Sequence, residues 1–214
     1  MKVGILGTGV VAKALGKGFA ERGHEVKIGT RDPDGDKART AVQHIGGRAS
    51  AGSFAEAARF GDVVVVATLW KGTENALSLA GPENVAGKVV IDATNPLDFD
   101  RGVPPTLALG YTNSSGEQVQ RWLPQARVVK AFNIVGNAAM VDPAFPGGPP
   151  DMFICGNDPA AKETVTGILK SFGWPTIDLG GIEMSRYLDP MAMVWIVYGF
   201  KTNTWNHAFK LLHQ

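Results

Sequence analysis

Met1-Lys2-Val3-Gly4-Ile5-Leu6-Gly7-Thr8-Gly9-Val10-Val11-Ala12 decides how this chain is read. A short apolar strand, Val3 to Leu6, runs into Gly7 and Gly9, and helical spacing begins at once. That order of strand, glycine turn and helix is what a dinucleotide-binding βαβ unit requires. Gly7 permits the tight turn, Gly9 lets the backbone approach a pyrophosphate, and the small Ala12 keeps the helix close to the sheet. The free N–H groups and positive dipole end of a helix starting near Val10 form the expected pyrophosphate seat, with Thr8, Val10 and Val11 around it.

The stretch that follows predicts the cofactor. Val11, Ala14, Leu15, Gly18 and Phe19 share one helical face, Gly23 caps the helix, and a second strand spans Glu25 to Gly29. Residues at the end of that strand face the adenine ribose, where an enzyme preferring NAD carries an acid ~20 residues beyond the glycines. Here stand Gly29-Thr30-Arg31. A hydroxyl and a planar guanidinium suit a 2′-phosphate, so NADP is expected. Lys37 is either a second cation for that phosphate or a solvated surface charge. Asp32 is the competing residue: if it met the ribose, the preference would swing to NAD.

Farther along, Ser53 and Glu56 have the spacing of a capping box ahead of a helix to Phe60. Asp62 to Thr68 is a continuous run without alternation, β-branched from Val63 to Val66, the mark of a central strand buried on both faces of a parallel sheet. Its exit, Thr68-Leu69-Trp70, leaves at the carboxyl edge, where open α/β sheets bind ligands. Trp70 either packs beside the cofactor or caps the core. A strand over Lys88 to Ala93 leads to Thr94-Asn95-Pro96, where the Asn95 amide either reads the nicotinamide end or forms an Asx-turn. Residues 98–115 read as a long loop. A strand from Arg127 to Phe132 ends in Asn133-Ile134, and Phe132, Asn133 and Ile134 are the expected surface for an acceptor ring, with core packing at a strand end as the alternative. Strands at Met152–Cys155 and Thr176–Leu179 flank a helix capped by Asp158-Pro159. Met191 to Phe200 is apolar on every side, which predicts burial in the core or in a subunit contact, and Trp205, Ala208, Phe209 and Leu212 have the spacing of a final amphipathic helix. A homodimer is expected from these two segments.

The composition narrows the function classes. With 214 residues, a net charge of +1 and no basic run, the chain lacks the footprint of a nucleic-acid binder, and one α/β unit over residues 1–214 with a helical segment 183–214 is expected. Cys155 is the only cysteine, so no internal disulfide and no thiolate metal cluster are available. The apolar run at Met191 falls short of the ~20 residues that span a bilayer. With no secretory pattern at the start, a cytoplasmic setting is the expectation.

Gly7-Thr8-Gly9, Gly29-Thr30-Arg31, Thr68-Leu69-Trp70, Asp92-Ala93-Thr94-Asn95-Pro96 and Lys130-Ala131-Phe132-Asn133 together resemble the NADPH-dependent reductases of the deazaflavin coenzyme F-420 (F420). The cytoplasmic domains of six-transmembrane metalloreductases are similar. The resemblance spans nearly the whole chain. It implies a Rossmann-type doubly wound, mostly parallel sheet with C-terminal helices, and hydride transfer between NADPH and F420 or a flavin such as FMN or FAD. It also implies that Gly7, Thr8, Gly9, Val10, Val11, Thr30, Arg31 and Lys37 hold NADP. Thr68, Leu69, Trp70, Asn95, Pro96 and Ala131 would line the nicotinamide end.

Hydride transfer between stacked rings needs no obligatory acid or base, and none is in evidence: the four histidines are scattered and no metal-ligand spacing occurs. A dehydrogenase of the β-hydroxyacid type or an imine reductase is the runner-up among enzymes, disfavoured by the short tail after Gly181. A non-catalytic NADP-binding redox sensor is the reading from another class.

Overall fold

The strand predicted to be central is central. In the computed structural model, which describes residues 1–214, strand β4 (Val63–Val66) has all four side chains buried. It pairs on one side with β1 (Lys2–Leu6) and on the other with β5 (Val89–Asp92), both parallel. Beyond β1 lie β2 (Glu25–Thr30) and β3 (Ala49–Ser53), and beyond β5 lies β8 (Arg127–Lys130), all parallel. The order β3-β2-β1-β4-β5-β8 is the doubly wound order, with the direction of winding reversing between β1 and β4. Two further strands, β9 (Met152–Gly156) and β10 (Thr176–Asp178), extend the sheet past β8 and run antiparallel to it. The sheet is mostly parallel, as expected.

Helices cover both faces. On one, α1 (Val10–Glu21) packs against α2 (Asp36–Ile45), and α6 (Pro159–Ser171) ends at Phe172, whose ring lies 4.9 Å from that of Phe19. On the other, α3 (Phe54–Phe60), α4 (Trp70–Ala80) and α5 (Ser115–Trp122) follow one another, with α7 (Ser185–Thr202) against α5. The chain ends its helices as its sequence directs. Gly23 has a φ of 83° after α1, and Asp158 Oδ1 accepts from Ala161 N at 2.7 Å to cap α6. The capping box at Ser53 forms in full: its hydroxyl accepts from Glu56 N, and Glu56 accepts from Ser53 N at 2.7 Å. Because α3 starts only at Phe54 and is short, we expect Ser53→Ala to cost ~1 kcal/mol in denaturant unfolding while leaving cofactor binding unchanged.

Three expectations are corrected. First, residues 205–212 are not helical. Their backbone is engaged by the segment before β9 instead: Asp151 N donates to Phe209 O (2.9 Å), and Leu211 N to Asp151 Oδ2 (2.7 Å). Only Ala208 and Phe209 pack on the core, while Leu212 is exposed. Second, the apolar run at Met191 is part of the longer α7, and of its two expected destinations, core and subunit contact, the core takes only one side. Leu188, Ala192, Trp195 and Gly199 face inward, and Val194, Val197, Tyr198 and Phe200 are exposed. Third, the long loop after β5 contains a small hairpin, β6 (Leu97–Asp98) with β7 (Thr106–Leu107), and β7 rests against α7.

Candidate functional site

The motifs expected to hold the cofactor follow parallel strands at the same edge. The turns after β1, β2, β4, β5 and β8 all follow carboxyl ends, and they surround the crevice where the winding direction reverses. At its floor, Gly7 has a φ of 130°, a conformation L side chains rarely adopt, and a Cβ there would lie 2.4 Å from Ala67 O beyond β4. Gly7 is therefore required by the fold. Gly9 is different: its φ is −74°, open to any residue, and an added Cβ would meet nothing within 4 Å. The fold leaves that space empty at the start of α1, where no side chain caps the free N–H groups and no acid stands in the first turn. Val10 is exposed beside it, Thr8 and Val11 are half-buried, and Ala12 is buried against the sheet. A diphosphate fits there on steric and electrostatic grounds alike.

At the end of β2, Arg31 and Lys37 are exposed and form no ion pair, whereas nearby Arg39 is taken up by Asp36 (2.6 Å). Thr30 is half-buried, and its Oγ1 accepts from Asp32 N at 3.4 Å. Asp32 turns its carboxylate into its own turn, so that a Cβ on Gly35 would lie 2.2 Å from Asp32 Oδ2. Lys37 sits in the first turn of α2. The edge of the crevice at the end of β2 thus carries two unpaired cations.

The other end of the crevice departs from expectation. Leu69 is 84% exposed, which leaves it free to cover a bound ring. Trp70 is half-buried with its ring 5.5 Å from Trp122, so it packs between α4 and α5 as a core-capping residue. Thr68 Oγ1 pairs with Thr73 Oγ1 (2.9 Å) and fixes the start of α4. Asn95 neither forms an Asx-turn nor presents a free amide. Its Nδ2 donates to Asn133 O (2.7 Å), and its Oδ1 accepts from Asn133 Nδ2 (3.2 Å), tying the β5 and β8 turns together. The Asx-turn lies earlier, where Asp92 Oδ1 accepts from Thr94 N (2.9 Å). Phe132, Asn133 and Ile134 are buried, as are Pro96 and Ala131. Phe132 packs on Phe172, its centroid 6.0 Å away, so these side chains are core rather than an open surface. The open part of that turn is Gly136, Asn137 and Ala138.

One feature beneath the site carried no obvious signal. Lys130, the last residue of β8, is 0% exposed and lies opposite Asp92, the last residue of β5. Its Nζ donates to Asp92 Oδ2 (3.0 Å), Ser115 Oγ (2.6 Å) and the Thr94 carbonyl, and Asp189 of α7 stands 3.5 Å away. Burial opposes the charge on Lys130, but Asp92 and Asp189 outweigh it and hold the ammonium above the usual lysine range. Burial pushes the Asp189 carboxyl up, with Lys130 and the Ser115 donors opposing it. Cys155 is buried too and its thiol is pushed up to about 12, chiefly by burial, which makes it unreactive as a nucleophile. No group of three or more histidine, cysteine or acidic residues is arranged to hold a metal, and no helix is long and apolar enough to cross a membrane.

Comparison with known proteins agrees with this geometry. Residues 2–96 match the family model described as NADP oxidoreductase, coenzyme F420-dependent. The crystal structure of a candidate F420-dependent NADP reductase from Arthrobacter sp. FB24 superposes with a TM-score of 0.93 at 41% identity, covering 100% of both chains. The F420-dependent NADP reductase of Methanothermobacter thermautotrophicus is 27% identical over 99% of this chain and 94% of its own. The metalloreductase STEAP3 of Rattus norvegicus is 30% identical over 90% of this chain, which spans only 36% of that longer protein. The chain belongs to the coenzyme F420-dependent NADP oxidoreductase family.

Proposed function

We propose that this chain carries hydride between NADPH and coenzyme F420. The observation that supports it most is the space the fold leaves beside Gly9 at an uncapped helix start, with unpaired Arg31 and Lys37 along the same edge. The N–H groups of α1 would hold the pyrophosphate. Thr30, Arg31 and Lys37 would hold the 2′-phosphate, the guanidinium by a bidentate, charge-assisted contact. Leu69 and the paired turns at Asn95 and Asn133 would orient the nicotinamide end and keep water from it. NADP, when bound, supplies the hydride chemistry itself. The protein's part is to fix two rings in contact, a task that requires no side chain to carry a proton.

The test is to follow NADPH oxidation at its absorbance band with F420, FMN, FAD and ferric chelates as acceptors. Turnover fastest with F420 is expected. Preference for a free flavin would overturn the acceptor, and binding without turnover on any of them would favour a redox sensor. A cytoplasmic site of action fits a chain whose single cysteine is buried and free.

We also infer a homodimer built on the exposed side of α7, where Tyr187, Val194 and Tyr198 recur at helical spacing. Sedimentation velocity should give twice the chain mass for the wild type and the single mass for Val194→Asp with Tyr198→Asp. A wild type sedimenting as a monomer at micromolar concentration would overturn it.

A further inference from the structure

The ion cluster beneath the crevice joins more of the molecule than its size implies. Lys130 and Asp92 end β8 and β5, and Asn133 and Asn95 follow them at equal spacing along the two exit turns. The buried charges therefore lie one layer under the Asn95–Asn133 pair. From α7, two consecutive residues dock on these two layers. Leu188 O accepts from Asn133 Nδ2 (2.9 Å), and Asp189 accepts from Ser115 N (2.8 Å) and Ser115 Oγ (2.7 Å) while facing Lys130. Ser115, the first residue of α5, also accepts from Lys130. All three ammonium protons are used, on Asp92, Thr94 O and Ser115, so Lys130 has one geometry and no freedom to wander. Every hydrogen-bond partner of the Asp189 carboxylate is a donor, which fits an ionised group. Burying a lysine and two carboxylates is costly, and apolar side chains at the ends of two central strands would be the cheaper solution. In some proteins such a cost is retained because the buried charges fix one specific geometry.

Resting on the function proposed above, we propose that Lys130 is a positioning residue for hydride transfer. It locks α5 and α7 to the carboxyl ends of β5 and β8, and so fixes the Asn95–Asn133 pair that orients the nicotinamide half of the cofactor. It does not touch the adenosine half, which lies across β1 and β2.

Lys130→Met keeps the unbranched apolar stem, one atom shorter, and removes the charge. Three quantities separate positioning from mere structural support: the affinity for adenosine 2′,5′-bisphosphate, which lacks the nicotinamide; the affinity for NADPH; and kcat with F420. The bisphosphate should bind within about twofold of wild type, NADPH should weaken by about fivefold or more, and kcat should fall by about tenfold or more, in line with the sensitivity of transfer to small misplacements. NADPH affinity and kcat both within about twofold of wild type would overturn the proposal, as would parallel losses for NADPH and the bisphosphate. Should Lys130→Met fail to fold, Ser115→Ala removes one Lys130 acceptor and one Asp189 donor while leaving the Lys130–Asp92 pair and the Ser115 N–Asp189 bond in place, and the same split, reduced to about threefold, is expected, with an unsplit result counting against the proposal. If the wild type binds NADPH but never reduces F420, the acceptor assignment fails, and the two affinities alone decide the role of Lys130.

Discussion

Arg31→Ala should raise the Kd for NADPH by about 10- to 100-fold and leave that for NADH within about twofold, because a charge-assisted contact to phosphate is worth about 1.5–3 kcal/mol and each 1.4 kcal/mol is tenfold. The geometry makes this side chain unusually easy to test. Arg31 is exposed and joins no ion pair, so its removal breaks no contact that the fold relies on. Its neighbour Asp32, the residue that would have favoured NAD, has its carboxylate folded against Gly35. Lys37 stands in the first turn of α2 and adds to the same field, so Lys37→Ala should give the same pattern at smaller size. Raising the salt concentration should weaken NADPH more than NADH for the wild type and abolish most of that difference for Arg31→Ala. Isothermal titration of both cofactors decides the matter. Equal weakening of NADPH and NADH would mean that Arg31 supports the crevice rather than reading a phosphate.

Much of this edge was legible in the sequence because its signals are local. Gly7-Thr8-Gly9 between a strand and a helix, the unbroken run into β4, and Ser53 three residues before Glu56 each depend on neighbours a few positions away. What was missed depends on distant partners. Trp205, Ala208, Phe209 and Leu212 have helical spacing, yet Pro149 and Asp151, some sixty positions earlier, take up the polar groups of that segment and hold it extended along them. Asn95 looked like a free amide and is occupied by Asn133, 38 positions on. Lys130 enters the sequence reading only as the first residue of the Lys130-Ala131-Phe132-Asn133 motif, and nothing local marks it as buried, since most lysines are solvated. A clue existed: Asp92 and Lys130 close two apolar strands that a parallel sheet places side by side in its interior, where a charge has no water and needs an opposite charge. Their register, and Asp189 arriving from α7, were visible only in the fold. For Phe132 and Ile134 the structure takes the core-packing alternative, a choice that an uninterrupted apolar strand end does not resolve by itself.

Substituting the two motif glycines one at a time should separate what the fold needs from what the cofactor needs. Gly7→Ala forces a side chain onto a φ of 130° and brings its Cβ to 2.4 Å from the backbone oxygen of Ala67, an atom fixed beyond the central strand. Strain of this kind costs about 1–3 kcal/mol before the clash is counted, so Gly7→Ala should unfold at markedly lower temperature and lose cofactor binding as a consequence. Gly9→Ala meets neither obstacle. Its backbone is already in a region open to alanine, and the added carbon touches no protein atom within 4 Å. Alanine is a poorer helix N-cap than glycine, a penalty of at most about 1 kcal/mol, so the protein should remain folded with nearly the same melting temperature. The methyl group nevertheless occupies the space in which a pyrophosphate would meet the first N–H groups of α1, and NADPH affinity should fall by about 100-fold, the scale of losing two or more charge-assisted hydrogen bonds. Differential scanning calorimetry and NADPH fluorescence titration on the same preparations give both numbers. A folded Gly9→Ala that binds NADPH as tightly as the wild type would show that the diphosphate does not sit on α1, since no contact within the protein accounts for a glycine there.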